Sequence, residues 1–238
     1  MSAPCGPDAG AVLVVMPALN ESAIVGDVVR DVAKALPGVH ILVVDDGSDD
    51  ATGEVARAAG ADVLTLPFNL GVGGALRAGF RYAVRFGYQA AVQVDADGQH
   101  DPEDIDRLLC GLDAADLVIG ARFAGAGDYD VTGPRRLAMR VLARSLSRRT
   151  QTTLTDTTSG FRAFNRRTIE LFAREYPAEY LGDTVEALVL AQRAGLRIAQ
   201  VPVTMRPRAG GSPSQSTLKS ILYLGRAVLA VAMSRLRR

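Results

Sequence analysis

The stretch QVDADGQHDPED, residues 93–104, sets Asp95 and Asp97 two positions apart at the end of an apolar run, with Gln99 and His100 just beyond. Two carboxylates that close repel one another unless a cation lies between them. At a fraying strand end both can turn towards one ion. Oxygen-only ligation with few protein donors, completed by phosphates and water, suits Mg2+ or Mn2+. Gln99 can add a neutral amide oxygen, and His100 reads as a supporting or capping residue and not as a ligand. An Asp-x-Asp pair can equally be a simple helix cap. What favours a metal is the company the pair keeps: PALNES (17–22), DDGSDD (45–50), NLGVGG (69–74) and DADGQH (95–100) each follow an apolar run.

Those neighbours have chemistry of their own. Asp45 and Asp46 can accept hydrogen bonds from a ribose or nucleobase, or can belong to a turn in which Ser48 or Asp49 caps the next helix. Glu21 is either a ribose ligand or an acid favoured by a helix N-terminus. NLGVGG lacks the G-x-G-x-x-G spacing and does not follow the first strand, which argues against NAD. Its glycines let the chain pass close to a bound sugar or phosphate, or else permit tight helix–strand packing. Arg136, Arg140, Arg144 and Arg148 recur every fourth residue, joined by Arg135 and Arg149, and make one helix face strongly positive. That face is either simply solvated or meets phosphates or anionic lipid.

The elements that must position these residues alternate in type. Valine-rich runs at 11–19, 40–46, 61–67, 88–97 and 115–123 alternate with helical patterns at 21–36, 50–60, 75–87 and 101–112, with Asn20 or Ser22 as caps for the first helix. That is the signature of βαβ units in an α/β fold with a mostly parallel central sheet flanked by helices. Ligands of such sheets collect beyond the carboxyl ends of the strands, where all four polar clusters fall. Further on come a glycine-containing loop at 124–134, the basic helix 135–149, a short extended piece at 158–166, a helix over 182–195 and a strand over 197–207. A loop then leads to a C-terminal amphipathic helix, whose stripe includes Leu218, Ile221, Leu222 and Leu229. That helix either docks on the core or lies in a membrane interface.

Bulk composition agrees with one globular α/β domain of 238 residues: 48% hydrophobic, 22% charged, net charge +1. The small net charge hides an asymmetry, since residues 1–120 hold 18 acids and 7 bases while 121–238 hold 8 and 20. Aromatics at 5% are too sparse for base stacking, so nucleic acid is not an expected partner. Neither a signal peptide nor a run of about 18 apolar residues is visible. Cys5 and Cys110 support neither a disulfide framework nor a thiolate metal site, and a reducing, cytoplasmic setting is the simplest reading.

Taken together, MPALNE, VVDDGSDDAT, NLGVGGALRAGF, DADGQHDPEDI, GARF, DTTSGFRAFNR and RPRAGGS resemble the GT-A family 2 glycosyltransferases, specifically the dolichyl- or polyprenyl-phosphate mannose synthase-like group. The resemblance implies a GT-A (nucleotide-diphospho-sugar transferase) domain over 11–213, preceded by a disordered tail at 1–10 and followed by the amphipathic helix at 214–238. It implies a nucleotide-sugar pocket formed by Pro17, Ala18, Asn20, Glu21, Asp45, Asp46, Gly71, Arg77, Asp95 and Ala96, for a donor of GDP, UDP or dTDP type. Asp95, Asp97 and Gln99 would hold Mg2+ or Mn2+ against the diphosphate. Arg122, Arg135 and Arg208, or in its place Arg206, would grip phosphates, and TSGFRAF would face the acceptor. Two features depart from the family pattern. Gly210-Gly211-Ser212-Pro213 stands where relatives often carry Gly-Glu-Ser-Lys, and the chain stops after one amphipathic helix where many synthases continue into a membrane domain. Attachment is therefore expected to be peripheral, on the inner face of the plasma membrane, or supplied by a membrane-protein partner.

The expected chemistry is metal-dependent inverting transfer of a hexose to a polyprenyl phosphate. Two rivals remain at this point. One is transfer to a hydroxyl of a lipid-linked or polysaccharide acceptor with Asp183 as general base, a residue that can equally be an N-cap. The other is a non-catalytic nucleotide-sugar binder. A nucleotidyltransferase fits less well, because its glycine- and lysine-bearing first loop is absent.

Overall fold

In the computed structural model, residues 5–121, 154–177 and 183–207 are described, apart from the side chains of Asp183 and Val185. The chain order is β1 (Val12–Ala18), α1 (Val25–Ala35), β2 (His40–Asp45), α2 (Thr52–Ala58), β3 (Asp62–Thr65), α3 (Gly71–Arg85), β4 (Ala90–Gln93), α4 (Ile105–Gly111) and β5 (Leu117–Ala121). Then follow β6 (Arg162–Asn165), α5 (Arg166–Glu175), α6 (Asp183–Arg193) and β7 (Ile198–Pro202).

These strands form one sheet in the order β3-β2-β1-β4-β6-β5-β7. All neighbours are parallel except β6, which runs antiparallel to both β4 and β5. The mostly parallel sheet expected from the sequence is therefore present, with one reversed strand drawn from the segment expected only to be extended. Strand alternation explains the layers. Leu13 and Val15 face α3, α5 and α6, meeting Leu76, Phe80, Phe172 and Leu188. Val12, Val14 and Met16 face the other way, onto Val28, Val29 and Val32 of α1 and Ile105 and Leu108 of α4. A sheet covered on both faces needs strands that are apolar throughout, which is why β1 reads as a continuous run.

Local starts differ from the sequence expectation for identifiable reasons. The first helix begins at Val25, not at 21, and neither Asn20 nor Ser22 caps it. Asn20 sits at φ 56°, its Oδ1 accepting from the Asp49 N–H at 2.9 Å, while the Ser22 N–H donates to Asp50 Oδ2 at 3.2 Å. Ser48 and Asp49 do not cap α2 either; Asp50 Oδ1 accepts from the Thr52 N–H at 2.9 Å. By contrast α3 begins four residues early, at Gly71, because the Asp46 and Asn69 side chains accept from the Leu70 and Gly71 N–H groups at 2.7 and 2.8 Å. Within it Gly79 packs on β1, where an added Cβ would overlap Cγ1 of Val15, so tight helix–strand packing explains that glycine. Helix α5 was not anticipated. Asn165 caps it by accepting from the Thr168 N–H at 3.0 Å, and Ile169, Phe172 and Ala173 form its buried stripe.

The cysteines also overturn an expectation. Cys5 and Cys110 form a disulfide with their Cα atoms 4.9 Å apart, across 105 residues of sequence. The N-terminal segment runs along α4, with Gly6 against the Leu109 backbone, and this brings Cys5 beside Cys110. That pairing removes the cysteine-based reason for a reducing compartment. Among the described residues no helix is long and apolar enough to cross a membrane. The basic helix expected at 135–149 and the amphipathic helix at 214–238 lie outside the described residues.

Candidate active site

The strand order reverses at β1, which has β2 on one side and β4 on the other. Loops leaving the carboxyl ends of these adjacent strands diverge there and open the crevice in which α/β sheets hold ligands. Val15 of β1 pairs with Gln93 of β4, and Ala18 with Asp45 of β2, so the PALNES, DDGSDD and DADGQH segments all leave the same edge.

The first two loops are laced together. The Asn20 N–H donates to Ser48 Oγ at 3.0 Å, and the Glu21 N–H to Thr52 Oγ1 at 2.8 Å. Pro17 is half-buried, Ala18 is buried and Asn20 is exposed. Asp45 and Asp46 are both buried; Asp45 Oδ1 accepts from the Ser48 N–H at 3.0 Å, and Asp46 Oδ1 reaches across to the Leu70 N–H. Burial pushes the Asp46 carboxyl above its ordinary value, and the Asp45 charge adds to this, against the opposing pull of the Leu70 and Gly71 N–H groups. Gly71 is buried at the start of α3. Arg77, also expected at the nucleotide, donates from Nη2 to the Arg174 carbonyl at the end of α5.

The Asp-x-Asp loop is built more tightly than a chance turn. Asp95, with its side chain 37% exposed, accepts from Gln93 Nε2 on Oδ1 at 3.3 Å, and His100 Nε2 stands 3.6 Å from Oδ2. Ala96 is buried, and Asp97 Oδ1 accepts from the Gln99 N–H at 3.0 Å around Gly98, whose φ is 73°. Gly160 closes the other side, and a Cβ there would come 2.8 Å from Asp95 Oδ2. The donor set therefore fits a hard divalent cation: two carboxylates and an amide on one short loop, with a backbone wall that leaves no room for a side chain. Among the described residues no group of three or more His, Cys, Asp and Glu assembles into a metal cluster. An ion at this loop would take its remaining ligands from a diphosphate and water.

Behind this loop lies Arg162, 0% exposed, in register with Gln93. Its guanidinium donates to the carbonyls of Ser159, Thr157 and Thr184 at 2.8, 3.0 and 2.9 Å. This joins the TSGFRAF segment to the first turn of α6, which opens at Asp183. On the opposite flank the Arg206 N–H donates to the Gln99 carbonyl at 2.8 Å, and its guanidinium pairs with Asp101 at 2.8 Å and Asp31 at 3.0 Å. Arg206 thus anchors the segment after β7 to the Asp-x-Asp loop. Arg122, Arg135 and Arg208 lie outside the described residues. Sequence reasoning gave Gln93 no role, and placed Gly160 and Arg162 only within the acceptor-facing TSGFRAF segment. An amide inside the otherwise apolar run AAVQV was the one visible signal for Gln93, whereas the other two acquire their roles only by contact.

Residues 13–172 match the family described as Glycosyl transferase family 2. A polyprenol monophosphomannose synthase of Mycolicibacterium smegmatis is 36% identical over 213 residues, covering 86% of this chain and 80% of the relative. An undecaprenyl-phosphate mannosyltransferase of Micrococcus luteus is 37% identical over 215 residues, covering 86% and 87%. Among solved structures, glucosyl-3-phosphoglycerate synthase from Mycobacterium tuberculosis, in complex with Mn2+, UDP and glucosyl-3-phosphoglycerate, superposes with TM-score 0.69 at 26% identity over 94% of this chain and 79% of that one. The α/β architecture expected from the sequence matches this GT-A neighbour. With the family match spanning β1 to α5 and the polar loops gathered at one sheet edge, the chain belongs to glycosyltransferase family 2.

Proposed function

We propose that this glycosyltransferase moves a hexose from a nucleotide-diphosphate sugar to a polyprenyl phosphate, with inversion at the anomeric carbon and with Asp95, Asp97 and Gln99 holding a divalent cation. The observation that carries the reading is the extended similarity to the mannose synthase and the mannosyltransferase, both named for polyprenyl-type acceptors. Mannose is accordingly the first sugar to try. Neighbouring structures crystallised with Mn2+ or Mg2+ and UDP support the metal and the donor class.

In the proposed step an acceptor phosphate oxygen attacks the anomeric carbon, the bond from that carbon to the diphosphate oxygen breaks, and the nucleoside diphosphate leaves. A phosphate monoester has a second pKa near about 6, so it is already an anionic nucleophile at neutral pH and needs no general base. A bound Mg2+ or Mn2+ supplies charge stabilisation to the departing diphosphate. The chain's own residues do the rest. Glu21, Asp45 and Asp46 face the nucleoside, Gly160 and Gln93 hold the Asp95 carboxylate in place, and Arg122, Arg135 and Arg208 would meet phosphates. Such preorganised charge is where most of the barrier reduction arises. The acceptor would be reached peripherally from the cytoplasmic face.

One observation favours a second reading. The solved neighbour makes glucosyl-3-phosphoglycerate and has been crystallised with phosphoglyceric acid, an acceptor that carries a hydroxyl. In that case Asp183, at the head of α6, would serve as general base. Incubating the purified protein with GDP-, UDP- and dTDP-hexoses and polyprenyl phosphate, then weighing the products, tests the first reading. Formation of a glycosyl-phosphoryl polyprenol is expected. Transfer only to hydroxyl acceptors would replace it with the second reading, and binding with neither transfer nor hydrolysis would leave a nucleotide-sugar binder.

A further inference from the structure

Three segments converge on His100, a residue to which no ligand-binding or catalytic task has been given. Its ring is buried, 5% exposed, and lies nearly parallel to that of Phe161, with centroids 4.7 Å apart and planes 10° apart. Its backbone pairs with Met205 in an isolated antiparallel bridge, next to the Arg206 N–H bond to Gln99. The Asp95 backbone N–H donates to its Nδ1 at 3.1 Å. An Nδ1 that accepts carries no proton, so the neutral ring bears its hydrogen on Nε2. That atom stands 3.6 Å from Asp95 Oδ2.

One imidazole therefore meets Asp95 twice: Nδ1 accepts its main-chain N–H, and Nε2 lies beside its carboxylate at 3.6 Å, just beyond hydrogen-bond length. Phe161 stacks on one face of the ring, and the bridge to Met205 ties the His100 backbone. Gln93 donates to the other carboxylate oxygen, and the backbone of Gly160 stands so close to the carboxylate that an added Cβ would come 2.8 Å from Oδ2. Without such partners an aspartate at a strand end samples several orientations, and binding a cation must then overcome that freedom.

Resting on the metal reading of this loop, we propose that His100 is the positioning residue that sets the orientation of the Asp95 carboxylate for a divalent cation, acting through Asp95 and not as a ligand. Residues that orient a metal-binding group in this way are typically worth about 10- to 100-fold in metal affinity. His100→Phe keeps a flat ring against Phe161 and removes both nitrogens. His100→Asn can retain an acceptor for the Asp95 N–H but cannot reach Oδ2.

The test is a Mn2+ titration of the full chain, followed by electron paramagnetic resonance, with GDP or UDP at saturation, alongside thermal unfolding of each variant. Wild type is expected to bind Mn2+, His100→Phe to bind it about 10- to 100-fold more weakly, and His100→Asn to fall between them. Equal affinity in wild type and His100→Phe would overturn the proposal and leave the metal site standing. A wild type that binds no Mn2+ with either diphosphate would overturn the metal reading and the positioning role together. Should His100→Phe fail to fold, 15N spectroscopy of the wild-type imidazole decides: a proton on Nε2 and an accepting Nδ1 are required, and a protonated Nδ1 at neutral pH refutes the role.

Discussion

Arg162 donates from Nη1 to the carbonyl of Thr184 at 2.9 Å, so the first turn of α6, which begins at Asp183, is tied by a buried cation to the strand beside the Asp-x-Asp loop. Residues 157–162 and the start of α6 are thereby held together. Removing the guanidinium strands three carbonyls, those of Ser159, Thr157 and Thr184. Each loses a charged donor, and a buried group left unsatisfied costs about 1–3 kcal/mol. Arg162→Met should therefore destabilise the protein by about 3 kcal/mol or more in urea unfolding. A loss under 1 kcal/mol would show that water replaces the guanidinium freely.

Gly160 and Asp95 touch in a way that tolerates no side chain. With an added Cβ 2.8 Å from Oδ2, Gly160→Ala must push the carboxylate aside. A displacement of about 1 Å at a reacting centre costs on the order of 100-fold in rate. We expect kcat/KM to fall by about that factor while thermal stability changes little. Wild-type turnover in Gly160→Ala would mean that Asp95 does not need its present orientation.

Asp97 and Asp183 separate the metal from the base. Asp97→Ala, or excess chelator added to wild type, should nearly abolish transfer. Activity that survives both treatments excludes a metal at this loop. Asp183→Asn should cost little with a polyprenyl phosphate acceptor, and should cost about 100-fold or more with a hydroxyl acceptor, because only the latter needs its proton removed.

Asp116 and Asp46 should respond to pH with opposite signs. Asp116, its side chain 7% exposed, is pushed up by burial, but the Arg197 N–H, the Asn165 amide and the charges of Arg197 and Arg167 outweigh this and hold its carboxyl below the ordinary value. Its contribution to stability is present above the unfolded carboxyl value of about 3.9 and is lost as pH falls further, through the folded value. Urea midpoints of wild type and Asp116→Asn should thus differ most at neutral pH and converge below about pH 4. A gap that persists undiminished into strong acid would contradict this assignment.

For Asp46 the folded value is raised, chiefly by burial. Its ionisation therefore costs stability as pH rises from the unfolded carboxyl value through the raised folded one. Asp46→Asn, free of ligand, should be at least as stable as wild type at neutral pH while binding the nucleotide sugar more weakly. Lower stability with unchanged donor affinity would assign Asp46 to scaffolding alone.

Several features of the site were legible in the chain because they are local. The alternation of valine-rich runs with helical patterns specifies parallel β–α units, and it places each polar cluster at a strand's carboxyl end wherever the strands pair. Asp95, Asp97 and Gln99 could be named from type and spacing, since residues two apart on a short loop stay neighbours in any fold. Cap positions were less legible. The Asn20, Ser22, Ser48 and Asp49 side chains and amides sit within a few residues of two helix starts, and which bonds form depends on how loops 17–22 and 48–52 meet.

What the sequence determined unaided was the kind of chemistry: an acidic loop at a strand end, an α/β scaffold and the motif order of a glycosyltransferase. Only the tertiary structure decided the reversed insertion of β6 between β4 and β5, and with it the contacts of Gly160 and Phe161 with a loop some sixty residues earlier and the buried bonds of Arg162. It also decided the pairing of Cys5 with Cys110. The physical reason is the same in each case. Propensity and hydrophobic period act over a few residues, whereas a buried arginine, a close glycine or a disulfide takes its meaning from whichever distant backbone the closed core brings within about 4 Å of it.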